Sequence, residues 1–175
     1  MRIALEILVI AALAMLAVWL LRRRDARRSG AQIGERRILF PFTGARLSES
    51  ALEAAIRLAR AEQATLVPAY LAEVPLTLPL ASALPREAET ALPILEAIEQ
   101  RGQRSGISVD PRIERGRTNR HALSELLEHE PYDRIVAPAA AGGSDGFSPG
   151  DVAWLLDHAS GDIVVFRAAN GGVRH

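Results

Sequence analysis

The chain has 175 residues, about half of them apolar, with 21 arginines balanced by 21 acidic residues and neither lysine nor cysteine. That length suggests one domain plus an appendage, and the composition allows a core of ordinary size. The missing cysteine excludes disulfides, thiolate metal sites and cysteine nucleophiles together.

The zero net charge is unevenly spread. Arg2, Arg22, Arg23, Arg24, Arg27 and Arg28 meet only Glu6 and Asp25 at the start of the chain, which leaves the remainder mildly acidic. Such a domain is a poor partner for nucleic acid, because phosphate neutralisation supplies most non-specific affinity. Residues 3–21 are apolar apart from Glu6. A helix of that length spans about 28 Å, close to the hydrocarbon thickness of a bilayer. Trp19 lies near its far end, at headgroup level. A cleaved signal peptide is the alternative, but it carries its charge before the apolar core and a small-residue cleavage site after it. Here the arginines mainly follow the core. The expectation is a transmembrane anchor over residues 1–21 and an arginine-rich juxtamembrane linker over 22–35. Arg22 to Arg28 would then meet anionic headgroups. By the positive-inside rule the rest of the chain lies in the cytoplasm, at the cell membrane, behind a single pass.

Arg37-Ile38-Leu39-Phe40-Pro41-Phe42 is a short apolar run, the mark of a strand buried on both faces. Ser48 or Ser50 caps the next helix, and Ser50-x-x-Glu53 fits a capping box. Leu52, Ala55, Ile56 and Ala59 form its packed face. A strand is predicted over 65–71, weakened by Pro68. Residues 73–86 form a loop rich in proline and leucine, apolar for a loop, with the sheet, a partner or the membrane as its possible neighbours. A helix over 87–104 is expected to kink or restart at Pro93 and to end at Gly106. A weak strand over 108–114 suits a sheet edge because of Pro111. Thr118 or Asn119 caps a helix with Ala122, Leu123, Leu126 and Leu127 inward, stopped by Pro131.

The last unit reads as a strand over 134–138, a small-residue loop over 139–150, a helix over 151–159 and a strand over 163–166. Ser148-Pro149-Gly150-Asp151 is a helix start, with a serine cap, proline first and an acid in the first turn. Val152, Leu155, Leu156 and Ala159 form the expected buried face. Strands alternating with amphipathic helices imply an α/β fold, a doubly wound parallel sheet with helices on both faces.

The strand Arg37 to Phe42 with Thr43-Gly44, the segment Glu114-Arg115-Gly116 and later Tyr132-Asp133-Arg134-Ile135-Val136, and the closing stretch from Gly150-Asp151-Val152-Ala153 to Ile163-Val164-Val165-Phe166-Arg167 resemble the universal stress protein family. The resemblance covers residues 36–168 and leaves 169–175 as a tail. It implies an open five-stranded sheet of order 3-2-1-4-5 and a homodimer formed through the last strand. Nucleotide-binding members carry Gly-x-x-Gly-x9-Gly-(Ser/Thr) after the fourth strand and an aspartate at the end of the first. This chain departs from that pattern. Thr43 stands at the aspartate position. With Gly150 as the late glycine, Ala137 and Ala140 fall on the first pair; aligning on the strand gives Pro138 and Ala141. Gly142, Gly143 and Gly146 lie in the loop at other spacings, and Asp151 replaces the hydroxyl residue.

The residues that would form a divergent nucleotide site are therefore Thr43, Gly44, Ala140, Gly142, Gly143, Gly150 and Asp151. Proline removes a backbone donor, alanine blocks close approach, and Asp145 and Asp151 bring carboxylates to where a triphosphate would lie. The expectation is a degraded site with no cofactor; ATP in a shifted site is the alternative. His121 and His129 are two helical turns apart, too far to share a metal, and His158 stands on another helix, so local bonding is expected of all three. Arg112, Arg115, Arg117 and Arg120 form a basic cluster, read as a solvated face balanced by Glu114 and Glu125, with an anion or lipid headgroup as the other reading. No nucleophile elbow or triad appears. The whole reads as a membrane-anchored regulatory or interaction module, not an enzyme, with a protein partner yet to be identified.

Overall fold

The computed structural model describes residues 36–44, 47–140 and 146–167. Nine elements alternate: β1 Arg37–Phe42, α1 Glu49–Glu62, β2 Thr65–Glu73, α2 Pro85–Arg104, β3 Arg112–Gly116, α3 Asn119–His129, β4 Arg134–Ala139, α4 Pro149–His158 and β5 Asp162–Arg167. All five strands run parallel in the order β3-β2-β1-β4-β5, as the resemblance implied. The predicted anchor over 1–21, the linker over 22–35 and the tail over 169–175 lie outside the described residues. Among the described residues no helix is long and apolar enough to cross a membrane.

The sheet divides the core in two. Ile38, Phe40 and Phe42 turn to one face, where α1 and α2 contribute Leu52, Ala55, Leu95 and Ile98. Leu39, Val67, Ile135 and Ala137 turn to the other, against Leu123 and Leu126 of α3 and Leu155 of α4. Successive strand residues point to opposite faces, so a central strand covered on both sides must be apolar throughout. β1 is buried along its whole length for that reason.

Several sequence expectations shift. Ser48, not Ser50, caps α1, its hydroxyl accepting from the Ala51 N–H at 3.4 Å. Glu53 therefore closes no box and pairs with Arg101 on α2 at 3.0 Å. Pro68 lies inside β2, which runs to Glu73. Leu66 turns its backbone toward the β3 side, bonding Ser108 and Asp110, and Pro68 turns the same way. Regular pairing there starts only at Ala69, so the absent N–H falls where no strand yet runs. α2 starts at Pro85 and continues through Pro93, which faces solvent, so the unbonded carbonyl one turn earlier is left to water. β3 starts after Pro111 rather than before it, and it is an edge strand. On α4 only Leu155 is fully buried, while Leu156 is 61 % exposed. The helix covers the half-exposed β4–β5 edge, and Val152, Trp154 and Ala159 pack on that side with Leu155.

A four-charge network closes the amino end of the sheet. Arg37 reaches Asp110 at 2.9 Å and Glu130 at 2.8 Å, and Arg112 reaches the same two carboxylates at 2.8 and 3.0 Å. The Arg37 side chain is only 11 % exposed, and its guanidinium lies over the Tyr132 ring. Burial, and then the Glu130 carboxylate, push the Tyr132 hydroxyl up to about 12 against the pull of the two arginines. Asp133 accepts from the Arg37 N–H at 2.8 Å, tying β4 to the start of β1.

Candidate functional site: the carboxy end of β1 and β4

β1 and β4 are neighbours, and the chain leaves them for opposite faces, to α1 after β1 and to α4 after β4. The crevice of an open parallel sheet forms at the carboxy ends of such a pair. Thr43 and Gly44 follow β1, with Gly44 at φ +70°, a left-handed conformation that favours glycine. Ala140 follows β4, and Gly150 and Asp151 open α4. Five of the seven expected site residues thus belong to one end of the sheet. Gly142 and Gly143 lie outside the described residues.

The chain returns from that loop under tight control. Phe147 donates its N–H to the Pro138 carbonyl at 2.7 Å and accepts from the Ala140 N–H at 2.9 Å. Its ring is buried in the core on the α3–α4 face. Gly146 has φ +132°, and a Cβ there would stand 2.8 Å from the Pro138 carbonyl oxygen. Only glycine fits that approach.

The start of α4 then satisfies itself. The Ser148 hydroxyl accepts from the Asp151 N–H at 3.2 Å, and the Asp151 carboxylate accepts from the Ser148 N–H at 3.2 Å and the Ser148 hydroxyl at 2.6 Å. Pro149 has no N–H to offer. Arg120, on the first turn of α3, donates from Nε to the other Asp151 oxygen at 2.8 Å. Burial alone raises the Asp151 carboxyl, but the Ser148 hydroxyl, the Arg120 guanidinium and the Ser148 N–H outweigh it and hold the group below its usual range. A phosphate bound at a helix start uses free backbone donors and a nearby cation. Here a carboxylate of the chain takes both the cation and part of the donor set.

The contact between Arg120 and Asp151 had no signal in the sequence, since it spans 31 positions and depends on how α3 and α4 pack. The expected basic cluster does not form one solvated face. Arg112 turns to the amino-end network and Arg120 to Asp151, while Arg117 donates to backbone carbonyls of the β2–α2 loop. Arg115 is exposed. The reason is register: β3 starts later than its sequence suggests, so Arg112 and Arg117 fall near opposite ends of the strand. The histidines bond locally. His121 Nδ1 accepts from the Arg117 N–H at 3.2 Å, His129 Nδ1 meets the Glu125 carbonyl, and His158 stacks on Trp154 with ring centres 4.3 Å apart. Among the described residues no three histidine or acidic side chains converge on a metal site.

The model of the universal stress protein family matches residues 35–167. No curated protein sequence gives a significant match. Solved structures with the same fold include a universal stress protein family member from Burkholderia pseudomallei, 20% identical with TM-score 0.58, where the match covers 78% of this chain and 99% of that one. UspA from Lactobacillus plantarum is 20% identical with TM-score 0.55, over 78% of this chain and 100% of that one. A universal stress protein in complex with cAMP is 19% identical with TM-score 0.54, over 77% of this chain and 98% of that one. At these identities the likeness is one of fold.

Proposed function

The chain belongs to the universal stress protein family, and from that premise we propose that it is a regulatory, non-enzymatic interaction module whose nucleotide site has been closed by its own side chains. The observation that carries this is the start of α4, where Asp151 accepts from Ser148 and is paired with Arg120. A triphosphate entering there meets an ionised carboxylate and finds two donors already engaged. Thr43 stands where the family's nucleotide-binding members carry an aspartate, so that carboxylate is missing from the same crevice. In this reading residues 3–21 hold the domain at the cytoplasmic face of a membrane, supported by their apolar character, interrupted only by Glu6, and the arginines that follow. The domain acts by binding a protein partner and a second copy of itself. Support for the dimer comes from β5, an edge strand whose Val165 is 43 % exposed.

The second reading is a nucleotide-responsive switch, favoured by one relative of the same fold whose structure holds cAMP. Calorimetry on a fragment starting at about Ala31, with ATP, AMP and cAMP, together with analysis of co-purified nucleotide, separates the two. A closed site gives no heat, no retained nucleotide and no shift in melting. Micromolar binding that Gly150→Asp abolishes would make this a nucleotide sensor instead.

A further inference from the structure

Residues 74–84, between β2 and α2, carry no charge in a chain where 24% of residues are charged. Two consecutive turns fold them: the Leu78 N–H donates to the Pro75 carbonyl and the Ser82 N–H to the Pro79 carbonyl, each at 3.0 Å. Arg117, just past β3, donates to the carbonyls of Val74, Pro75 and Leu78 at 3.3, 2.7 and 2.8 Å. The first turn is therefore clamped, and it holds its leucines outward, Leu76 at 87 % exposure and Leu78 at 41 %. A loop already fixed in shape loses little further freedom when it is covered.

We propose that this double turn inserts Leu76 and Leu78 into the interfacial layer of a bilayer, so that the carboxy end of the sheet lies against the membrane. The inference rests on the membrane-anchor reading above. In that reading residues 22–35 are a linker, and a stretch of that length reaches at most about 50 Å, against roughly 20 Å for a six-residue strand. Either end of the sheet can then reach the bilayer, and surface chemistry decides between them. The amino end presents Glu62, Asp133 and Asp162 beside Arg36 and Arg134. Those carboxylates would be dehydrated and would face anionic headgroups. The double turn takes no carboxylate with it, and the charges that bracket it, Glu73 and Arg86, are exposed, opposite in sign and free to stay in water. An apolar tip held in place among hydrated groups fits the headgroup–acyl boundary, where apolar area gains and polar flanks remain wet.

The cysteine-free chain accepts a single reporter. Thr77→Cys, between the two leucines, and Ser160→Cys, at the opposite end of the sheet, are each labelled with an environment-sensitive fluorophore. The full chain is reconstituted in phosphatidylcholine–phosphatidylglycerol vesicles containing a nitroxide-bearing lipid. The label at 77 shifts to the blue and is quenched several-fold more than the label at 160. Adding Leu76→Ser with Leu78→Ser brings it down to the level at 160. Equal quenching at the two positions, or quenching that survives the serine pair, overturns the proposal. A blue shift without lipid quenching also overturns it, and assigns the turn to a protein contact. Alkaline carbonate extraction tests the anchor separately. A chain stripped from the vesicles overturns both readings, whereas an anchored chain with an unquenched label at 77 overturns this one alone.

Discussion

At the amino end of the sheet, Arg37 and Arg112 share Asp110 and Glu130, with Arg37 and Asp110 largely buried, and the contacts join segments 73 or more positions apart in the case of Arg37. At the carboxy end, Ser148 and Arg120 are exposed, Asp151 keeps 21 % of its side chain in water, and the capping contacts span three residues. The difference is one of what each charge replaces. Buried charges that have left water depend on their partners, so removing one strands the others. An exposed cation such as Arg120 can turn back to water when its partner is lost. The carboxy end thus leans less on any one ion pair than the amino end does.

The contrast is tested most severely by Arg37→Ala, which leaves Asp110 and Glu130 short of a cation. Urea unfolding should show a loss of about 3–5 kcal/mol. A loss near that of a surface pair would end the distinction between the two ends. One substitution made at both ends sharpens it. Gly161→Ala drives a Cβ against the Tyr132 carbonyl and near the Asp133 carbonyl, both rigid backbone, and should cost about 1–3 kcal/mol. Gly150→Ala meets only the movable Arg120 guanidinium at 3.0 Å and should stay within about 0.5 kcal/mol.

The cap itself is open to a pH test. Asp151 is held below its ordinary range when folded, so the unfolded chain binds its proton first as pH falls. Its contribution is fully present above the unfolded value, about 3.9, and is lost as pH drops through the lower folded one. Asp151→Asn should therefore be less stable than the parent near neutral pH, with the gap closing below about pH 4. A gap independent of pH would mean the carboxylate's charge plays no part in holding α4. The smallest effect is expected from Leu76→Ser with Leu78→Ser. Two exposed side chains contribute little to folding, and the melting temperature should barely move. A large drop would show that the loop is part of the core rather than a surface.

Hydrophobic period and capping residues were enough to read the number, type and order of the elements. The run Arg37 to Phe42 could only be a strand covered on both faces, and Ser148-Pro149-Gly150-Asp151 could only start a helix. The strand order came from the resemblance, and the departures at Thr43, Ala140 and Asp151 were visible by position alone. These are local properties, fixed by neighbours a few residues away. Packing fixed the rest. It decided that Asp151 meets Arg120, that Arg117 clamps the leucine turn, that Leu156 faces solvent, and that Arg37 carries a network rather than a strand end. Each of these joins elements whose separation in space is set by the sheet. No spacing along the chain encodes a distance that depends on how two helices settle against a common surface.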